Sequence, residues 1–378
     1  MKPTLPILAS FALAALAPQR VAVSSQPPDG VPLAELITAG ARQAAPTAGT
    51  LGAAARRQGK RFGVSVEARD LDSPRFTRAL TQHFTTVTPE NALKLGPHGR
   101  PGGFDYTDAD RIAGFVREAG MGMRLHTLVW EHNDGRISGM NAMSPAECGK
   151  ALHDHAVRTI GRYADVLDAV DVVNEPLDAQ GRVHMPRWTG CLGTDPIGFA
   201  FQSAADAIQR AGHPEIQLAL NEFDVLQPGP KADGYWLLAR NLKDRGVPLT
   251  TVGFQAHLKA DDRLTVAGVR ENLQRFVDAG LKIEITELDV TRGRAKLDDR
   301  ALANRQSELV AVVLQACAEA GGASCLGATS WGLSDDVHWR VRDVPGSRET
   351  PALLDEHKQP KPSYDAALRA LQGTVAAR

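Results

Sequence analysis

Two short apolar runs in this chain end on carboxylates: Ala169-Val170-Asp171-Val172-Val173-Asn174-Glu175 and Lys282-Ile283-Glu284-Ile285-Thr286-Glu287-Leu288-Asp289. In each, the β-branched residues read as a buried strand, and the glutamate as a group delivered at the strand's C-terminal end, where parallel α/β barrels keep their chemistry. Asn174, Pro176 and Asp289 stand close to these glutamates in segments otherwise built for burial. Buried polar groups are costly unless partnered, so their clustering points to one shared polar site. Two carboxylates across one pocket, one a proton donor and the other a nucleophile, are the equipment for breaking a glycosidic bond.

The elements that must position these groups alternate in kind. From Leu51 onward, short apolar runs predict strands over 62–66, 85–89, 123–130, 169–175, 217–223, 251–258, 282–290 and 325–333. Helical periodicity lies between them, over 107–119, 145–163, 197–211, 266–279 and 298–320. Ser144-Pro145-Ala146-Glu147 is a helix-start signature, and Gly120, Gly212, Gly246 and Gly280 each follow a helical run as stops. Strand-then-helix alternation argues for a parallel sheet, and eight units close it into a single-domain (β/α)8 TIM barrel. A doubly wound sheet is the competing architecture, but no Gly-x-Gly-x-x-Gly follows the first strand to support its usual dinucleotide chemistry.

Polar residues then gather where the predicted strands finish. Glu90, Asn91 and Lys94 follow the second strand; His126 and Trp130 belong to the third; Asn174 and Glu175 end the fourth. Asn221 and Glu222 end the fifth, Gln255 and His257 the sixth, Glu287 and Asp289 the seventh, with Trp331 on the eighth and Trp339 in the loop beyond. Singly, a histidine or tryptophan in such a place is more often part of the core. Joint placement on one edge of seven strands reverses that reading, because the opposite face of a barrel does not need them.

Thr88-Pro89-Glu90-Asn91-Ala92-Leu93-Lys94, His126-Thr127-Leu128-Val129-Trp130, Asp171-Val172-Val173-Asn174-Glu175-Pro176, Gly253-Phe254-Gln255-Ala256-His257-Leu258, Ile285-Thr286-Glu287-Leu288-Asp289 and Trp331-Gly332 resemble, in order, the motifs of glycoside hydrolase family 10, the endo-β-1,4-xylanases. The resemblance runs from about Leu51 to Leu371. It implies that Glu175 is the general acid/base and Glu287 the nucleophile, with Asn174 on the 2-hydroxyl of the sugar being cleaved. It further implies that His257 holds Glu287 with Asp289 behind the histidine, and that Gln255 supports the site around Glu287. Glu90, Asn91, Lys94, His126, Trp130 and Asn221 are implied as substrate contacts, and Trp331 and Trp339 as aromatic cleft walls. The chain departs from the pattern after Trp130, where Glu131 to Met140 replaces a usual His-Ser-Gln and a following tryptophan. Leu95 and Asn221-Glu222-Phe223-Asp224 depart from it too. The altered loop is expected to remove an aromatic wall and change the preference for side groups on the substrate.

The chain has 378 residues, 43% hydrophobic, with a formal net charge of -1. Nothing in that balance marks a binder of nucleic acid or of anionic membrane. Lys2 followed by an apolar run to Ala17 reads as a secretory signal over 1–17, too short for a membrane span, and 18–50 reads as a weakly ordered leader. The catalytic domain is expected over 51–372. Four cysteines suit an exported protein, secreted or periplasmic. Cys317 and Cys325 flank a Gly-rich turn and are expected to close a short loop, which leaves Cys148 with Cys191. The expectation is a monomeric retaining endo-xylanase acting on xylan without metal or organic cofactor. Two alternatives stand beside it: a hydrolase of another β-1,4-glycan or of a decorated xylo-oligosaccharide, and a non-catalytic glycan-binding barrel.

Overall fold

The computed structural model describes residues 46–95, 99–100, 103–134, 139–344 and 346–373. The expected signal over 1–17 and most of the leader lie outside the described residues. Eight parallel strands form the barrel: β1 (Arg61–Val66), β2 (Thr86–Pro89), β3 (Gly122–Trp130), β4 (Leu167–Asn174), β5 (Gln217–Glu222), β6 (Thr251–Phe254), β7 (Lys282–Thr291) and β8 (Cys325–Ser330). Each pairs with its sequence neighbours, and β8 pairs with both β7 and β1, which closes the sheet. No helix among the described residues is long and apolar enough to cross a membrane.

Around the sheet lie α1 (Leu51–Arg57), α2 (Pro74–His83), α3 (Thr107–Ala119), α4 (Pro145–Tyr163), α5 (Pro186–Leu192), α6 (Pro196–Ala211), α7 (Pro230–Asp244), α8 (Val266–Asp278), α9 (Asp299–Gly321) and α10 (Pro362–Gln372). Helix α4 starts with the reciprocal Ser144–Glu147 capping box and Pro145 in its first turn, which satisfies donors that a helix start leaves unpaired. Asp195 caps α6 by accepting from the Gly198 amide at 3.1 Å, and Gly212 ends that helix at φ 78°. The core lies between sheet and helices, where Leu125, Val170, Leu220, Val252, Ile283 and Ile285 are buried on the strands.

Two strands depart from the expected form. The sixth stops at Phe254, and Ala256 takes φ 64° before the chain resumes as an extension, His257–Lys259, paired with the end of β7. The eighth stops at Ser330, so Trp331 opens the loop beyond, with Gly332 at φ 105°. Both breaks aim a side chain that a continued two-residue alternation would have turned elsewhere.

The cysteines pair as Cys148–Cys191 and Cys317–Cys325. They close loops of 43 and 8 residues' separation. On the loop-entropy account these are worth about 4 and about 2.5 kcal/mol against the unfolded chain. The longer link ties α4 to α5, the helix that follows the loop beyond β4.

Candidate active site

The C-terminal ends of β3 to β7 converge on a buried polar cluster. Three amides join the two glutamates. Asn221 Nδ2 donates to Glu287 Oε1 at 2.7 Å and to Asn174 Oδ1 at 2.8 Å. Gln255 Nε2 donates to Glu175 Oε1 at 2.9 Å and to the same Asn174 oxygen at 3.3 Å. Strand register explains the convergence: Asn174 lies beside Asn221 and Asn221 beside Gly253. A Cβ at position 253 would stand 2.3 Å from the Asn221 side-chain oxygen, so glycine there lets the amide lie across the strand.

Each carboxylate has a second partner. Trp130 Nε1 donates to Glu175 Oε2 at 2.8 Å, and His257 Nε2 lies 3.0 Å from Glu287 Oε2. His257 Nδ1 lies 2.9 Å from Asp289 Oδ2, which His338 Nε2 also meets at 3.1 Å. Burial alone would push Glu287 up, but the hydrogen bond and charge of His257, with the charge of His126, hold it below the ordinary 4.5. Burial likewise opposes charge on His257, yet Asp289 and Glu287 together raise it well above the ordinary 6.5. The site therefore holds an ionised carboxylate against an imidazolium.

These shifts predict a pH signature. Asp289 is held far below its ordinary 3.8: burial acts against this, and the charge and hydrogen bond of His257, with those of His338, outweigh it. A depressed carboxylate contributes stability that is complete above its unfolded value and lost as pH falls through its folded one. A raised histidine contributes stability that is complete below about 6.5 and lost as pH climbs through its higher folded value. Both contributions are whole only between about pH 4 and 6.5. Asp289→Asn should destabilise the fold there by roughly 3 kcal/mol, the cost of stripping one partner from a buried pair, and by progressively less on the acid side. Denaturant unfolding of both proteins from pH 2.5 to 7 measures this; a pH-independent difference would contradict the ion pair.

Below the glutamates the barrel interior carries charge where branched apolar layers are usual. Arg124, buried on β3, reaches both oxygens of Asp171 and donates to Glu284 Oε2 at 2.8 Å. Arg61 meets the same Glu284 oxygen at 3.1 Å, and His126 Nδ1 lies 2.9 Å from Asp171 Oδ2. Burial opposes the Asp171 charge, and Arg124 and His126 overcome it, so its carboxyl sits below the ordinary range. His126 is thus oriented from beneath, with Trp331 edge-on to it at 5.3 Å and to His257 at 6.1 Å. Trp339 completes this wall, 6.3 Å from His257, with the Arg340 guanidinium 4.0 Å over its face.

The β2 loop supplies a second polar group. Lys94 Nζ donates to Asn91 Oδ1 at 3.2 Å and lies 4.6 Å over the Trp130 ring, while Asn91 Nδ2 donates to Glu67. Glu90 expends both oxygens on Arg342, at 2.7 and 3.4 Å.

Two sequence expectations need correction. Asn221 does not face the cleft: it is fully buried, with both amide hydrogens given to Glu287 and Asn174 and its oxygen to the Thr286 hydroxyl at 2.7 Å. Gln255 supports Glu175 with its side chain and meets Glu287 only through its carbonyl, which accepts from the Glu287 amide at 2.9 Å. Glu131 opens the loop that departs from the family pattern. It is 4% exposed and accepts from the Arg187 and Trp188 amides at 3.0 and 3.4 Å, capping the start of α5. Residues 135–138 of the same loop lie outside the described residues.

Glu67, Arg124, Lys231, His338 and Arg342 were missed from the sequence, where Glu222 was noted only as a polar strand end. For Arg124 the two-residue alternation with His126 was a usable signal; the others meet their partners only across loops. Glu222 and Lys231 line a cavity of about 410 Å³ that also takes in Phe223, Gln255 and His257.

A (β/α)8 barrel whose strand ends hold two carboxylates on one amide cluster, beside an aromatic-walled cleft, is a glycoside hydrolase. The chain belongs to glycosyl hydrolase family 10, whose profile matches residues 50–370. It is 29% identical to endo-1,4-beta-xylanase 5 of Pyricularia oryzae over 318 residues, 83% of this chain and 76% of that protein. It is 28% identical to the beta-1,4-xylanase of Dictyoglomus thermophilum, covering 80% of this chain and 86% of that one. Among solved structures, the Penicillium canescens endo-1,4-beta-xylanase superposes with a TM-score of 0.78 at 25% identity, over 86% of this chain and 98% of that one. Xylanase 10B of Thermotoga maritima gives 0.76 at 25%, with the same coverage.

Proposed function

We propose that this protein is a retaining endo-β-1,4-xylanase in which Glu287 is the nucleophile and Glu175 the acid/base. The observation that carries the reading is the cluster of Asn174, Asn221 and Gln255, which binds one oxygen of each glutamate and holds the two in a single site. The ionised Glu287, its charge kept by His257, attacks the anomeric carbon. Glu175 gives its proton to the leaving oxygen as that bond breaks. Glu175, now ionised, takes a proton from water, which displaces Glu287 and restores both groups. Loss of the Glu287 charge in the ester intermediate favours the second role of Glu175.

In this reading Asn174 meets the 2-hydroxyl of the reacting sugar, a bond that strengthens as positive charge develops at the ring. Trp331 and Trp339 form the wall of the cleft around that sugar. The cavity lined by Phe223, Lys231 and Gln255, whose amide donates to Glu175, is proposed to receive the leaving portion of the chain. The apolar N-terminal run and the two disulfides support export, and the protein is proposed to act as a monomer on a neutral polymer, with no role in binding nucleic acid.

The test is product release from xylan beside cellulose and mannan, with the first-formed anomer followed by proton NMR. Short xylo-oligosaccharides released as the β-anomer are expected. An α-anomer first product, or faster release from cellulose or mannan, would overturn the reading.

A further inference from the structure

Glu222 is fully buried at the end of β5, next to Asn221, and has no part in the chemistry described above. Its partners are unusual. Oε2 accepts the backbone amide of Leu177 at 3.1 Å, Oε1 accepts the amide of Phe223 at 2.9 Å, and Lys231 Nζ lies 2.8 Å from Oε1. Leu177 stands two residues beyond Glu175, whose backbone is held at φ 54°, a left-handed conformation that non-glycine residues adopt only under constraint. Such strain persists only where the surroundings over-determine it.

The constraints can be traced. The Glu175 amide donates to the Asn221 carbonyl at 2.9 Å, and the Pro176 carbonyl accepts from His184 at 2.8 Å. The loop then docks backbone to backbone on α7: a Cβ at Gly234 would stand 2.0 Å from the Gly181 carbonyl oxygen, and one at Gly181 2.3 Å from that of Pro230. Lys231 stands on the first turn of α7. One carboxylate therefore joins the strand, the helix and the backbone just past the acid/base. We infer that Glu222 is a positioning residue for proton transfer: through the Leu177 amide and Lys231 it fixes the backbone from which Glu175 reaches the leaving oxygen.

The inference rests on the role proposed for Glu175, and one set of substrates tests both. In Glu222→Gln one acceptor oxygen becomes a donor facing another donor, so the loop loses a tie. On aryl xylobiosides with poor leaving groups, kcat/KM should fall roughly 10- to 100-fold, as a displaced proton donor requires. On the dinitrophenyl glycoside, which departs without a proton, it should fall less than about threefold. Glu222→Asp keeps the carboxyl group but is shorter by one methylene, and should show the same pattern more weakly, which decides the matter if the Gln variant does not fold. In a Glu175→Ala background, Glu222→Gln should add no further dependence on the leaving group. Equal losses on both substrates in the Glu222 variants, or an unchanged profile in both, overturn the inference. If Glu175→Ala itself gives no leaving-group dependence, the role of Glu175 fails instead.

Discussion

Replacing Glu287 by Gln should lower kcat on xylan by roughly three to five powers of ten while leaving the protein folded. The side chain keeps its shape and loses the charge that attacks the anomeric carbon. It also loses fit. One oxygen of Glu287 accepts from Asn221 Nδ2 at 2.7 Å and the other faces His257 Nε2 at 3.0 Å, a nitrogen protonated in the imidazolium. A Gln amide sets its own NH2 against one of these donors, whichever way it turns. Two measurements check the assignment: steady-state turnover of the purified variant, and peptide mapping of the wild-type enzyme after reaction with a 2-fluoro xylobioside that traps the glycosyl ester. Near-normal turnover, or a label on any residue other than Glu287, removes it from the role.

Glu175→Ala should separate substrates by their need for a proton. Xylan, whose leaving group is a sugar hydroxyl, should lose roughly two to four powers of ten in kcat/KM, the range general acid catalysis supplies. An activated aryl glycoside should form its ester at nearly the normal rate and then stall, because no base remains to prepare water. A burst of aryl alcohol equal to the enzyme concentration is the expected trace. Azide, which needs no deprotonation, should restore turnover and leave a β-glycosyl azide as product. The structure adds that the variant removes the Glu175 oxygens that accept from Trp130 Nε1 and Gln255 Nε2, so its stability should be measured alongside. Equal losses on both substrates, with no response to azide, would make Glu175 a structural residue.

Both glutamates were legible in the sequence for a local reason. A β-branched strand that ends on a carboxylate carries its own direction, burial and terminus in a few consecutive residues. The helix boundaries set by Ser144-Pro145 and by Gly120 and Gly212 belong to the same kind, since capping is decided within one turn. The cysteine pairing followed from a chain with four cysteines and one tight loop.

The roles of Asn221, Gln255 and Glu131 were not decided that way. Their types were right for a polar site, yet each has its partner on another strand or helix, 47, 80 and 56 positions away respectively. Strand alternation assigns a side chain to one face, but the break at Gln255-Ala256 and the register shifts in β3, β4 and β7 change which residue points where. Arg342 meets Glu90 across 252 residues, a contact no local pattern encodes. By itself the sequence determined which strands end in acids, how the helices begin and stop, and which chemistry that equipment serves, because hydrophobic periodicity and capping act over a few residues. Only the tertiary structure decided which donor meets which oxygen, because a closed barrel brings eight strand ends together and the hydrogen-bond demands of buried charge are met by whatever its registers place within reach.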